Sequence, residues 1–161
     1  MSKIKKYISK DEALSLLQKY CAYQDRCHQE VRTKLLSYQI YGDDLEDIIS
    51  QLIQEKYLDE LRYAKSFVRG KVNIKKWGPI KIKQHLAQKQ ISAYCQLKAF
   101  EEIEDRTHLE NLQYWLSRKE RDYSKDNEFI KRQKLMRFLQ SKGFEYSEIK
   151  DQLNRHFNKT E

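Results

Sequence analysis

Four histidines and three cysteines are the residues of this chain best suited to catalysis or metal binding, and their spacing fits neither. His28, His85, His108 and His156 stand singly, none beside a carboxylate at triad or metal-ligand spacing. Cys21 and Cys27 form a Cys-x5-Cys pair with Cys95 far from both, a set expected to be reduced thiols in a cytosolic protein. The stretch "GPIKIKQ" lacks the glycines and the Lys-Ser/Thr pair of a phosphate loop, and "DDLED" reads as helix caps and a solvated face. No catalytic residue, metal ligand or cofactor is expected, and the chain is not read as an enzyme. The chemistry that remains is ionic. From Lys65 to Lys89 there are eight Lys or Arg and no acid, whereas Ile40 to Glu60 holds seven acids and one lysine. With 32 basic against 24 acidic residues the net charge is +8, which suits a polyanionic partner or simple solubility.

The basic stretch supplies the first set of candidate partner-binding residues: Lys71, Lys75, Lys76, Lys81, Lys83, His85 and Lys89. Ile82 and Leu86 form the inward stripe of the helix that carries four of them, so Lys81, Gln84, His85 and Gln88 fall on another face. A second set, Lys131, Arg132, Lys134 and Arg137, lies on a later helix. A solvated helix face is the competing explanation for both sets. Trp77, beside a Gly-Pro pair, is expected to pack rather than to stack on a partner.

These residues must be positioned by helices. One proline and four glycines leave few breakpoints in 161 residues, so the chain is read as all-α. Capping residues and apolar periodicity predict nine helices, roughly at 9–23, 27–38, 44–55, 59–72, 79–89, 92–104, 107–122, 126–142 and 147–157. Gly78 and Pro79 read as a helix start, because proline at the first helical position forfeits an N–H that would be unpaired anyway. Apolar positions recur: Leu135, Leu139, Phe144, Ile149 and Leu153 are spaced 4, 5, 5, 4, and Ile82, Leu86, Ile91, position 96 and Phe100 keep that spacing. Position 96 is Gln, so Leu97 is expected to pack in its place. Val31, Leu35, Ile40, Ile48 and Leu52 run 4, 5, 8, 4, with "YGD" inserted. Each unit thus reads as helix, tight turn, helix and a flanking third helix, stacked on its neighbours. The expected division is a first helix in 1–24 belonging to the first repeat, the rest of that repeat in 25–73, a second repeat in 74–123, and a third with the tail in 124–161. "MSKIKKYISKDE" has no signal-peptide core and no segment suits a bilayer span, so a cytoplasmic monomer without membrane contact is expected.

Over about residues 20 to 157 the chain resembles the RecX regulatory proteins. The resemblance rests on "LIQEKYLDELRYAKSFVRGKV" followed by "KKWGPIKIKQHLAQKQI", through Tyr57, Leu58, Asp59, Arg62, Tyr63, Ala64, Gly78, Pro79, Ile82, Leu86, Lys89 and Ile91. "RCHQEVRTKLL" upstream and "KLMRFLQSKGF" downstream are similar to the family's first and third repeats. Glu60, Cys27 and Gln90 depart from the pattern, and Gln90 replaces a turn glycine. The resemblance implies three tandem three-helix repeats in an elongated, curved array. It also implies a partner, the RecA recombinase filament on single-stranded DNA, whose ATP hydrolysis, strand exchange and coprotease activity the protein would limit. A sequence-nonspecific DNA-binding helix-turn-helix module, touching single- or double-stranded DNA, is the alternative. The lysine-rich, arginine-poor stretch argues against base reading, which favours bidentate arginine.

Overall fold

The computed structural model describes residues 7–158; residues 1–6 of the expected N-terminal segment 1–24 and residues 159–161 of the tail lie outside them. All regular structure among these residues is helical: α1 (Lys10–Tyr23), α2 (His28–Ser37), α3 (Gly42–Gln54), α4 (Glu60–Asn73), α5 (Pro79–Gln88), α6 (Ala93–Phe100), α7 (Asp105–Glu120), α8 (Glu128–Ser141) and α9 (Tyr146–Phe157), with a 3-10 turn at Arg121–Tyr123. Expected caps form at Ser9, Asp59 and Ser92, whose side-chain oxygens accept from Glu12, Arg62 and Cys95 N–H. Asn127, rather than Asp126, caps α8, because the Asp126 carboxylate is drawn to Lys134 at 2.7 Å. Thr107, expected to open a helix, lies inside α7.

Three apolar cores organise the helices. Leu17, Leu35, Ile48 and Leu52 anchor the first, from α1 to α3. Val68, Val72, Ile82, Leu86 and Ile91 anchor the second, around α4, α5 and α6. Leu116, Leu135, Leu139, Phe144 and Ile149 anchor the third, in α7 to α9. This corrects the expected boundaries at 73/74 and 123/124: α4 belongs with α5 and α6, and α7 with α8 and α9. The reason is that the basic stretch at 74–78, although it looks like a linker, joins two helices that share one core. The accessible surface, 11,031 Å², exceeds the roughly 8,600 Å² of a compact monomer of this mass, as expected of three small cores joined in series.

The same turn follows α2, α5 and α8, one in each unit, and it recurs after α3, where Tyr57 N–H donates to Leu52 O behind left-handed Lys56. Ile40, Ile91 and Phe144 each donate N–H to the carbonyl five residues back, on Leu35, Leu86 and Leu139, at 3.1, 3.1 and 3.3 Å. The residue before each donor is left-handed: Gln39 at φ 60°, Gln90 at 59° and Gly143 at 97°. This is the Schellman geometry that ends a helix while delivering its next apolar residue inward. The departure at residue 90 therefore leaves the shape of the turn intact and shows up as strain, since a left-handed L-residue costs about 1 kcal/mol or more. Gln90→Gly is accordingly expected to raise the thermal midpoint by about 2–4 °C, measured by circular dichroism.

The stripe on α6 differs from the one expected. Cys95 and Ala99 are buried, whereas Leu97 is 63% exposed. These small side chains share the second core with Ala64 of α4, so the α6 backbone lies close on α4 and the helix is turned to present them.

Candidate partner-binding face at the joint between the second and third units

Gly78 precedes α5 as its cap residue, with Pro79 in the first turn, as the sequence suggested. Its conformation, φ −78° and ψ 164°, is open to any residue, so a different cause fixes the glycine. The Gly78 N–H donates to Lys142 O at 2.7 Å, and Ile80 N–H donates to Gly143 O at 3.0 Å. A Cβ on Gly78 would lie 2.6 Å from Phe144 N, and one on Gly143 would lie 2.7 Å from Lys81 N. Two glycines thus let the start of α5 and the turn after α8 meet backbone to backbone. Beside them the buried Asn111 donates to Val72 O at 2.9 Å, and Trp115 Nε1–H donates to Lys76 O at 2.8 Å. The α7 side chains thereby satisfy carbonyls at the end of α4 and in the turn beyond it.

This joint assembles the basic face. Lys81 and Lys71 sit over the Trp77 ring, 4.3 and 4.7 Å from its centroid, and the His85 ring lies 4.7 Å from it. Trp77 therefore packs, as expected. Across the joint Lys142 covers Trp115 at 4.2 Å, and Lys76 lies 5.1 Å from Tyr114. Stacking on ring faces spreads the ammonium groups without neutralising them. Burial, followed by Lys81, Lys119 and Lys75, pushes the Lys142 ammonium below its ordinary value. Burial, followed by Lys81, Lys71 and Lys89, does the same to His85. Among the described residues no carboxylate lies within ion-pair distance of Lys71, Lys75, Lys76, Lys81 or Lys142.

The candidates from the sequence divide accordingly. Lys71, Lys75, Lys76, Lys81 and His85 come together. Lys89 adjoins them but is held by Glu30 at 3.1 Å, which ties the second unit to the first. Lys83 stands apart over Phe100 on the α6 side. The second set is largely neutralised: Arg132 pairs with Glu128 and donates to Asn154, and Lys134 pairs with Asp126. Arg137 lines a separate groove between α8 and α9, and no contact joins Lys131 to the basic face. Lys142 was missed because only the backbone contact between the start of α5 and the turn after α8 brings it to this face; its trace in the sequence is that it precedes its turn residue as Lys89 does, and nearby Lys119 is paired with Asp122 at 3.0 Å. The acidic stretch is also partly spent internally, with Lys10 on Asp44 and Asp47 and Arg32 on Glu46.

His85 makes stability pH-dependent in a defined direction. Its folded pKa lies below its unfolded one, so as pH falls the unfolded chain takes up this proton first and stability drops below the ordinary histidine range of about 6.5. His85→Gln is expected to reduce the loss in thermal midpoint between about pH 7.5 and about pH 5.5 relative to the parent chain.

Three serial three-helix units, each with its own apolar core and with a basic face at the joint between the second and third, define a helical repeat protein. Family models for the RecX second three-helix domain and the RecX third three-helix domain match residues 59–99 and 107–153, more than half of the chain between them. The chain belongs to the RecX family. It is 28% identical to the regulatory protein RecX of Bacillus cytotoxicus over 125 residues, 78% of this chain and 46% of that one. It is 32% identical to that of Lactococcus lactis subsp. cremoris over 136 residues, 83% and 51% of the two chains. The chain spans about half the length of the curated relatives it matches. A crystal structure of RecX from Lactobacillus salivarius superposes with a TM-score of 0.81 at 29% identity, covering 92% of this chain and 96% of that one. Another crystal structure of a regulatory protein RecX gives 0.82 at 27%, covering 91% and 71%.

Proposed function

We propose that this chain regulates the RecA recombinase by seating on its filament on single-stranded DNA, where it limits ATP hydrolysis, strand exchange and coprotease activity. The observation that carries this reading is the convergence of Lys71, Lys75, Lys81 and Lys142, from two units, on one face without carboxylate partners. A charge field built across a joint is suited to a surface longer than one domain. Serial units reach adjacent protomers of a helical polymer, so weak contacts add through effective concentration. Bridging holds neighbouring protomers in one arrangement and slows turnover between them.

Helix-turn-helix docking in the DNA major groove is the less favoured mode. The α5 face bearing Lys81 and His85 is packed on Trp77, leaving Lys83 as the cation among exposed Lys83, Gln84, Ala87 and Gln88. The test is RecA ATPase on single-stranded DNA with this chain added. Inhibition is expected, with binding to the filament much tighter than to bare DNA at the same salt. An unchanged ATPase at several-fold excess removes the reading.

A further inference from the structure

A second feature of the basic face lies where it meets the first unit. A groove of about 550 Å³ runs between α2, α4 and α5, within the size range of ligand sites. Its apolar wall is formed by Tyr63, Phe67 and Trp77, and Ile74 stands on its lip with 79% of its surface exposed. Lys71 and Lys75 form a cationic edge with no carboxylate partner among the described residues. The opposite wall holds Glu30 and Asp25, but these are neutralised by Lys89 at 3.1 Å and Arg62 at 2.9 Å. An anion entering the groove therefore meets uncompensated positive charge on one side and closed ion pairs on the other.

Two chemistries fit a basic groove with aromatic walls: a stacked nucleobase and an acidic peptide. Stacking needs a free ring face. Trp77 is already covered by Lys81, Lys71 and His85. The exposed apolar group is instead aliphatic, Ile74, which offers contact area and no π surface. We infer that this groove seats an acidic peptide segment carrying an aliphatic side chain, its carboxylates on Lys71 and Lys75 and its apolar group against Ile74 and Phe67. The inference rests on the proposed function only in taking the partner to be a protein.

His85 reports occupancy. Lys81 and Lys89 of its own helix, Lys71 of α4 and Lys75 of the connection surround it, with Asp25 and Glu30 across the groove. In the free chain burial and then this surplus of positive charge oppose its protonation, and an incoming carboxylate relieves the second of these. Binding is thus coupled to proton uptake and tightens as pH falls through the histidine range.

The experiment uses the full chain and three fluorescein-labelled probes: a short peptide of glutamates interrupted by leucines, the same peptide with serine for leucine, and an oligothymidylate of equal charge. The leucine peptide is expected to bind about tenfold tighter than the serine peptide. Ile74→Ser should erase that advantage, and Lys71→Ala with Lys75→Ala should weaken both peptides. The His85 ring resonances should titrate at higher pH when the leucine peptide is bound. Equal affinity for the two peptides overturns the inference, as does an oligothymidylate that binds at least as tightly as the leucine peptide and moves the same His85 resonances. RecA is absent from these titrations, so their failure leaves the filament reading standing. Conversely, an uninhibited RecA ATPase with intact peptide binding removes the filament reading alone.

Discussion

Gly143→Ala is expected to part the third unit from the second while leaving each core folded. The added methyl group meets Lys81 N and Cβ and Gly78 O, atoms of backbone or next to it that no rotamer change moves aside. The residue is also left-handed at φ 97°, which an L side chain adopts at a cost of about 1–2 kcal/mol. Opening the contact forfeits the bonds from Gly78 N–H to Lys142 O and from Ile80 N–H to Gly143 O, each worth about 1 kcal/mol. The total, about 3 kcal/mol, corresponds to a fall of about 6–12 °C in the thermal midpoint. Trp115 should report the separation, because its indole N–H loses Lys76 O and its emission shifts to the red. An unchanged midpoint and unchanged emission would show that the joint is not held by this clasp.

The second large effect is electrostatic. Lys75→Glu combined with Lys81→Glu replaces attraction for an anionic surface with repulsion at two points of the converged face. Taking about 1 kcal/mol or somewhat more for each reversal, binding to the RecA filament should weaken by about thirtyfold to a hundredfold. ATPase inhibition should be lost at concentrations where the parent chain saturates. Lys83→Glu combined with Lys131→Glu carries the same change in net charge at positions outside the face, and it should bind nearly as the parent does. Filament titrations by anisotropy compare the two pairs. Equal losses would mean that total charge, rather than its placement at the joint, governs binding.

Much of the architecture was legible because helices announce themselves locally. Ser9, Asp59 and Ser92 cap where their spacing indicates, and Leu135, Leu139, Phe144, Ile149 and Leu153 bury as their period requires. The register of α6 was hidden because Cys95 and Ala99 pack by being small, a property that an apolar stripe does not reveal. Which unit a helix joins was hidden as well, since α4 is amphipathic whichever neighbour it serves. The basic stretch in the second unit could be read directly. Its extension through Lys142 could not, because a contact between two backbones distant in sequence leaves no side-chain pattern. The weakness of the second basic set was there to be read, since Glu128 stands one helical turn before Arg132.

The two joints of the molecule are made of different materials. Between the first and second units the links are long polar side chains, Glu30 with Lys89, Arg62 with Asp25 and Gln29 with Gln88 O, around the fully buried Cys27, which the second core holds. Between the second and third they are two main-chain hydrogen bonds, flanked by the uncharged Asn111 and Trp115 side chains that donate to Val72 O and Lys76 O. Dissolved ions slacken the first kind of link far more than the second. The joint between the first and second units is therefore expected to loosen with added salt before the joint between the second and third does.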